Sequence, residues 1–76
     1  MNNVKPSDHK LHVRVDKLLN LFANKLINET SKLGYTHVTN TENYTNFYVY
    51  VDKSVVREVA QKELEAIFTN AGYTLK

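Results

Sequence analysis

Two stretches of strict alternation set the pattern of this chain. Leu11, Val13 and Val15 alternate with His12, Arg14 and Asp16, and Phe47, Val49 and Val51 alternate with Tyr48, Tyr50 and Asp52. A period of two carried by β-branched and aromatic residues predicts strands with one buried face. After each strand the period lengthens to that of a helix. Leu18, Leu19, Phe22, Leu26 and Leu33 share one stripe, and Val56, Val59, Ala60, Leu64, Ile67 and Ala71 share another. Asp16 and Asp52 stand where a carboxylate can accept from the first open helical N–H groups, with Ser54 an equal alternative for the second helix. Gly34 and Gly72 end the helices, since glycine takes left-handed geometry at little cost. Further strands are expected from Tyr35 to Thr39 and from Tyr73 to the C-terminus. Between the halves, Asn40-Thr41-Glu42-Asn43-Tyr44-Thr45 is polar and turn-prone and should close a hairpin.

The same order of signals occurs twice. Val13-Arg14-Val15-Asp16-Lys17 reappears as Val49-Tyr50-Val51-Asp52-Lys53, and Gly34-Tyr35-Thr36 as Gly72-Tyr73-Thr74. The expected fold is therefore α+β: a ferredoxin-like βαββαβ sandwich, with a four-stranded antiparallel sheet and two helices on one face. The first and third strands lie in the middle and the second and fourth form the edges. A rival reading makes residues 8 to 33 one long helix, because Leu11, Val15, Leu18, Phe22 and Leu26 also fit a helical stripe and Pro6-Ser7-Asp8 is a helix-start signal.

Composition narrows the class. A chain of 76 residues supports one domain, here residues 1–76 with 1–9 expected to be a flexible N-terminal segment. With no cysteine there is neither a disulfide framework nor a cysteine-type zinc site. Hydrophobic residues at 42% and charged residues at 24% are ordinary for a globular protein. The N-terminus lacks the apolar core of a signal peptide, and no apolar run could cross a bilayer, so a cytoplasmic location without a membrane partner is expected. Asn28-Glu29-Thr30 and Asn43-Tyr44-Thr45 match the glycosylation sequon only formally. Asn and Lys are abundant and Arg is scarce, a bias of AT-rich genomes such as those of many bacteria and phages.

Strand parity then selects the side chains of the open face. If the aliphatic set packs under the helices, His12 and Arg14 on the first strand and Tyr48 and Tyr50 on the third face outward, with His37 and Tyr35 on the second as candidates to join them. Tyr35 and Tyr73 follow the two helix-ending glycines at matched positions and read as structural, while Tyr44 falls in the hairpin. At these residues the chain resembles the RNA-recognition motif. Leu11-His12-Val13 matches that family's first-strand motif, with His12 in the place of an aromatic, and Tyr48-Val49-Tyr50 resembles its paired third-strand aromatics. The resemblance implies base stacking on the sheet. Against the family's pattern, Asn46 and Phe47 stand where it has a basic residue and a glycine, and Glu42 replaces a basic loop cluster. Asp16 and Asp52 end both central strands, and a net charge of +2 is thin for a binder that depends on phosphate contacts.

Other chemistry finds little footing. His9 and His12 would present two metal ligands only if they lay on a helix, and Ser7, Ser31 and Ser54 have no base-and-acid signature around them. Neither glycine precedes a helix as a phosphate-binding loop requires. Neither a cofactor nor a catalytic site is expected. The leading expectation is a small non-catalytic binding module that grips a protein, or a second copy of itself as a homodimer, through its open sheet face or a sheet edge, as an accessory regulator or inhibitor would. Single-stranded RNA or DNA binding on the same face is the second expectation.

Overall fold

A computed structural model of the protein describes residues 8–76. Its elements run β1 (His9–Asp16), α1 (Asn20–Thr30), β2 (Tyr35–Asn40), β3 (Tyr44–Val51) and α2 (Arg57–Asn70). The sheet order is β1-β3-β2, with both pairings antiparallel. The expected flexible segment lies, over residues 1–7, outside the described residues; His9 already belongs to β1. The long-helix reading of residues 8 to 33 is overturned. Residues 9–16 pair along their whole length with β3, from His9 opposite Val51 to Asp16 opposite Tyr44.

The four-stranded sheet is also overturned: the chain is βαββα with three strands. The reason lies at the end of α2. Gly72 has φ of +93°, its N–H donates to the Thr69 carbonyl, and the Tyr73 N–H donates to the Phe68 carbonyl. This is a Schellman cap, with the Tyr73 and Phe68 rings meeting edge to face as its apolar contact. The cap spends the Tyr73 amide on the helix, so the chain reaches the edge of β1 only at Lys76, whose N–H donates to the Arg14 carbonyl at 2.8 Å. One such bond places the tail where a fourth strand would lie without making a ladder.

Parity works as expected in the core. Leu11, Val13 and Val15 of β1 and Phe47, Val49 and Val51 of β3 are buried beneath the helices. From above, α1 contributes Ala23, Leu26 and Thr30, and α2 contributes Ala60, Leu64 and Phe68. The Phe47 and Phe68 rings meet edge to face with centroids 4.8 Å apart at the centre. Both helical stripes are rotated from the expected ones. Leu19, Phe22, Val56 and Val59 are exposed, because Ala23 and Ala60 are the residues that let each helix approach the sheet. Leu18, Ile27, Leu33, Val38, Ile67, Tyr73 and Leu75 pack around the rim.

Buried polar groups at the joints are satisfied. Thr30 Oγ1 bonds the Leu26 carbonyl and Thr36 Oγ1, each at 2.9 Å, tying the end of α1 to β2. Thr45 Oγ1 accepts from the Leu18 N–H and donates to Asn40 Oδ1, tying the start of α1 to the hairpin. The hairpin itself closes on Thr41, whose N–H donates to the Tyr44 carbonyl while its Oγ1 accepts from the Tyr44 N–H.

The carboxylates expected as helix caps do other work. The N-cap positions are Leu19 and Val56, neither with a side-chain cap. Asp52 Oδ1 instead accepts from the Ser54 N–H in the turn before α2, and Asp16 lies 3.3 Å from Lys76 Nζ. The two glycines differ as well. Gly34 has no positive φ; it is small because its Cα lies against the Tyr50 carbonyl, where a Cβ would collide.

Candidate functional site

All five side chains expected on the open face are there, held in rows by the strand registers. His12, Tyr48 and His37 stand opposite one another across β1, β3 and β2. Lys10, Tyr50 and Tyr35 form the next row on one side, and Arg14, Asn46 and Thr39 the next on the other. A final pair, Asp16 and Tyr44, closes the face at the hairpin end.

The rows are bound together side chain to side chain. The His12 and Tyr48 rings are stacked, 4.8 Å between centroids and 14° from parallel, and His37 tilts toward Tyr48 from the other strand at 6.2 Å. Tyr35 and Tyr50 lean together at 6.1 Å. Two cations cap ring faces: Lys10 Nζ lies 4.8 Å from the Tyr48 centroid, and the Arg14 guanidinium 4.5 Å from that of Tyr44. Asn46 is buried although it points to the open side, and its Oδ1 lies 2.9 Å from His12 Nε2. This side-chain hydrogen bond ties the His12 imidazole on β1 to Asn46 on β3.

Sequence reading missed Lys10, Tyr44 and Asn46, and it left Tyr35 between the open face and a structural role; the register places it on the face opposite Tyr50. The signal was available in the parity: Lys10 shares that of His12 and Arg14, and Tyr44 and Asn46 that of Tyr48 and Tyr50. Both strands are longer than the alternation suggested, because Thr45 and His9 interrupt the aliphatic series without interrupting the pairing. Tyr73, by contrast, is structural as expected and packs against the core.

The electrostatic character of the face is simple. Within the paired rows Lys10 and Arg14 are the cations, His12 and His37 add ring nitrogens, and the acid, Asp16, is engaged by Lys76 at the rim. The helical side is mixed: Glu58, Glu63 and Glu65 alternate with Arg57 and Lys62 on α2. Exposed apolar side chains also lie on the helical side, including Leu19 at 71% and Leu21 at 76% exposure. Leu21 thus stands clear of the core, while Ile27, on the opposite flank of α1, packs at its rim. A groove between α1 and the end of α2 is lined by Phe22, Leu26, Ile67 and Tyr73, with Lys25 and Glu29 on one wall.

Among the described residues, no three His, Asp or Glu side chains gather as a metal site would need. No described helix is long and apolar enough to cross a membrane. Compared with known protein families, curated proteins and solved structures, the chain matches none.

Proposed function

We propose that this protein is a small non-catalytic binding module that grips the acidic surface of a partner protein on its open sheet face, in the manner of an accessory regulator or inhibitor. The observation that carries this reading is the use already made of the ring faces. A base stacks on an aromatic residue whose face is bare. Here Tyr48 lies against His12 and beneath Lys10, and Tyr44 lies beneath Arg14. Base stacking on either would first have to break contacts worth about 0.5–1 kcal/mol each. The same contacts order two long cationic side chains before any partner arrives, which lowers the entropy cost of an ion-paired protein contact. Tyr and Arg at the centre of a flat, rigid face also match the residues that dominate protein interfaces.

The test is affinity capture from the source cell with the wild-type chain and a His12→Ala/Arg14→Ala/Tyr48→Ala variant, with captured proteins identified by mass spectrometry. The expected result is a partner retained by the wild type and lost by a variant whose circular dichroism is unchanged. The same proteins retained by both would remove the open face from the account.

A further inference from the structure

The outer edge of β1 has a chemistry of its own. In an antiparallel strand the N–H and C=O of one residue point to the same side, and successive residues alternate. The Arg14 carbonyl accepts from the Lys76 N–H, and the His12 carbonyl from Gln61 Nε2 at 3.0 Å. Lys10, His12 and Arg14 therefore turn their backbone groups away from β3, while their side chains stand on the open face. Any strand laid along this edge would pair directly with these three residues. Its side chains opposite them would enter the cationic rows. The alternate ones would pass under the polar shelf of α2 made by Arg57, Gln61 and Glu65.

The other edge differs. By the same alternation, the outward backbone groups of β2 belong to Thr36, Val38 and Asn40, whose side chains lie on the helical side with no cation among them. The tail meets β1 beside its hairpin end, where the Lys76 N–H donates to the Arg14 carbonyl and Lys76 Nζ lies 3.3 Å from Asp16. Among the described residues, no backbone group pairs with the outward side of Lys10 or with the His12 N–H.

We infer that this edge is a strand-docking site for an extended segment of a partner protein, with acidic side chains at alternate positions opposite Lys10 and His12, and opposite Arg14 where the segment displaces the Lys76 amide. The inference rests on the proposed protein-binding role of the open face and extends it to the segment that would grip there. Backbone pairing supplies affinity and the alternate side chains supply selectivity, as in strand addition generally. Charge complementarity selects the occupant. A second copy pairing β1 to β1 about His12 would set each Lys10 opposite the other copy's Arg14, a like-charge pairing that sheets disfavour. The register that would instead reach Asp16 competes with its Lys76 contact. Gln61, held also by Glu65 Oε2 at 3.1 Å, covers the His12 carbonyl until a strand displaces it.

The experiment titrates the isotope-labelled chain with a blocked peptide of alternating Thr and Glu, and with the same peptide N-methylated at every second residue. Amide exchange and chemical shifts are followed residue by residue. The inference expects the Lys10 and His12 amides to exchange about tenfold more slowly with the first peptide, and N-methylation to weaken binding about tenfold or more. If the peptide moves Tyr48 and Tyr50 signals while those amides exchange as before, and the methylated peptide binds equally, edge docking is wrong and the open-face role stands. No response to the peptide at about millimolar concentration also overturns edge docking and leaves the face to the capture experiment. Saturation by a uridine oligomer and not by the peptide overturns both.

Discussion

Gly34 and Gly72 stand in the same local sequence, Gly-Tyr-Thr, after a helix, yet the structure gives them different reasons to be glycine. Adding a methyl group to each separates them. At Gly72 a Cβ would meet nothing within 4 Å, but φ is +93°. The cost is then the backbone strain of an L-residue in left-handed geometry, about 1 kcal/mol. At Gly34 the Cβ would run into the Tyr50 carbonyl oxygen and close on Val51 Cγ1. The oxygen belongs to the central strand and cannot rotate away, so β3 or the α1–β2 connection must shift. Overpacking of this kind costs about 1–3 kcal/mol, and a backbone obstacle puts it at the upper end.

For a domain of this size the total stability is about 4–11 kcal/mol, and each kcal/mol moves Tm by about 4–8 °C. Gly72→Ala should therefore lower Tm by about 4–8 °C and Gly34→Ala by about 12–24 °C. Asparagine, which tolerates the left-handed region, should recover part of the loss at position 72 and none at 34. Thermal and urea unfolding followed by circular dichroism provides the assay. Equal losses for the two alanine variants, or recovery by Asn at position 34, would refute the distinction.

Other expected outcomes follow from single contacts. Phe68→Ala removes a fully buried ring in contact with Phe47 and Tyr73, at about 3–5 kcal/mol, which is enough to leave much of the protein unfolded at 37 °C by circular dichroism. Thr30→Val keeps the shape but leaves Thr36 Oγ1 without its buried partner, and urea titration should show a loss of about 1–2 kcal/mol. Lys76→Ala breaks an ion pair whose Asp16 side is three-quarters exposed, so the stability change should stay below about 1 kcal/mol and shrink further in high salt. A double-mutant cycle of Arg14→Ala with Tyr44→Leu should return a coupling of about 0.5–1 kcal/mol, the value of an exposed cation–π contact.

Legibility of the fold followed the strength of the local pattern. β1 and β3 were readable because their two faces differ sharply, aliphatic on one side and His, Arg and Tyr on the other, and a slip of one residue would exchange them. That contrast also exposed four of the five candidate side chains, all but His37 of β2. The edges of the same strands were not readable, since His9, Thr45 and Asn46 carry no alternation, and Lys10 and Tyr44 were lost with them. The helical stripes were found but turned slightly wrong. Periodicity marked Phe22 and Val59, which are exposed, and Ala60, which is buried as expected, but it passed over Ala23 and Phe68, which are buried against the sheet. The fourth strand failed for a reason of geometry: Gly72 looked like the end of a helix, which it is, but its cap also consumes the Tyr73 amide. The resemblance to the RNA-recognition motif rested on residue types, whereas the stacking of His12 on Tyr48 and the cations over Tyr48 and Tyr44 are ring orientations, which sequence does not carry.

The central claim is that the His12, Tyr48 and Lys10 cluster presents charge to a protein and offers no bare ring to a base. A parallel titration tests this most directly, with single-stranded RNA in one arm and an acidic Thr-Glu peptide in the other, at low salt, following tyrosine fluorescence and the amide signals of β1 and β3. The account predicts saturable shifts at Lys10, His12 and Arg14 with the peptide, and no quenching of tyrosine fluorescence by RNA at about tens of micromolar. Saturable quenching by RNA that disappears in a Tyr48→Ala/Tyr50→Ala variant, with no response to the peptide, would contradict it.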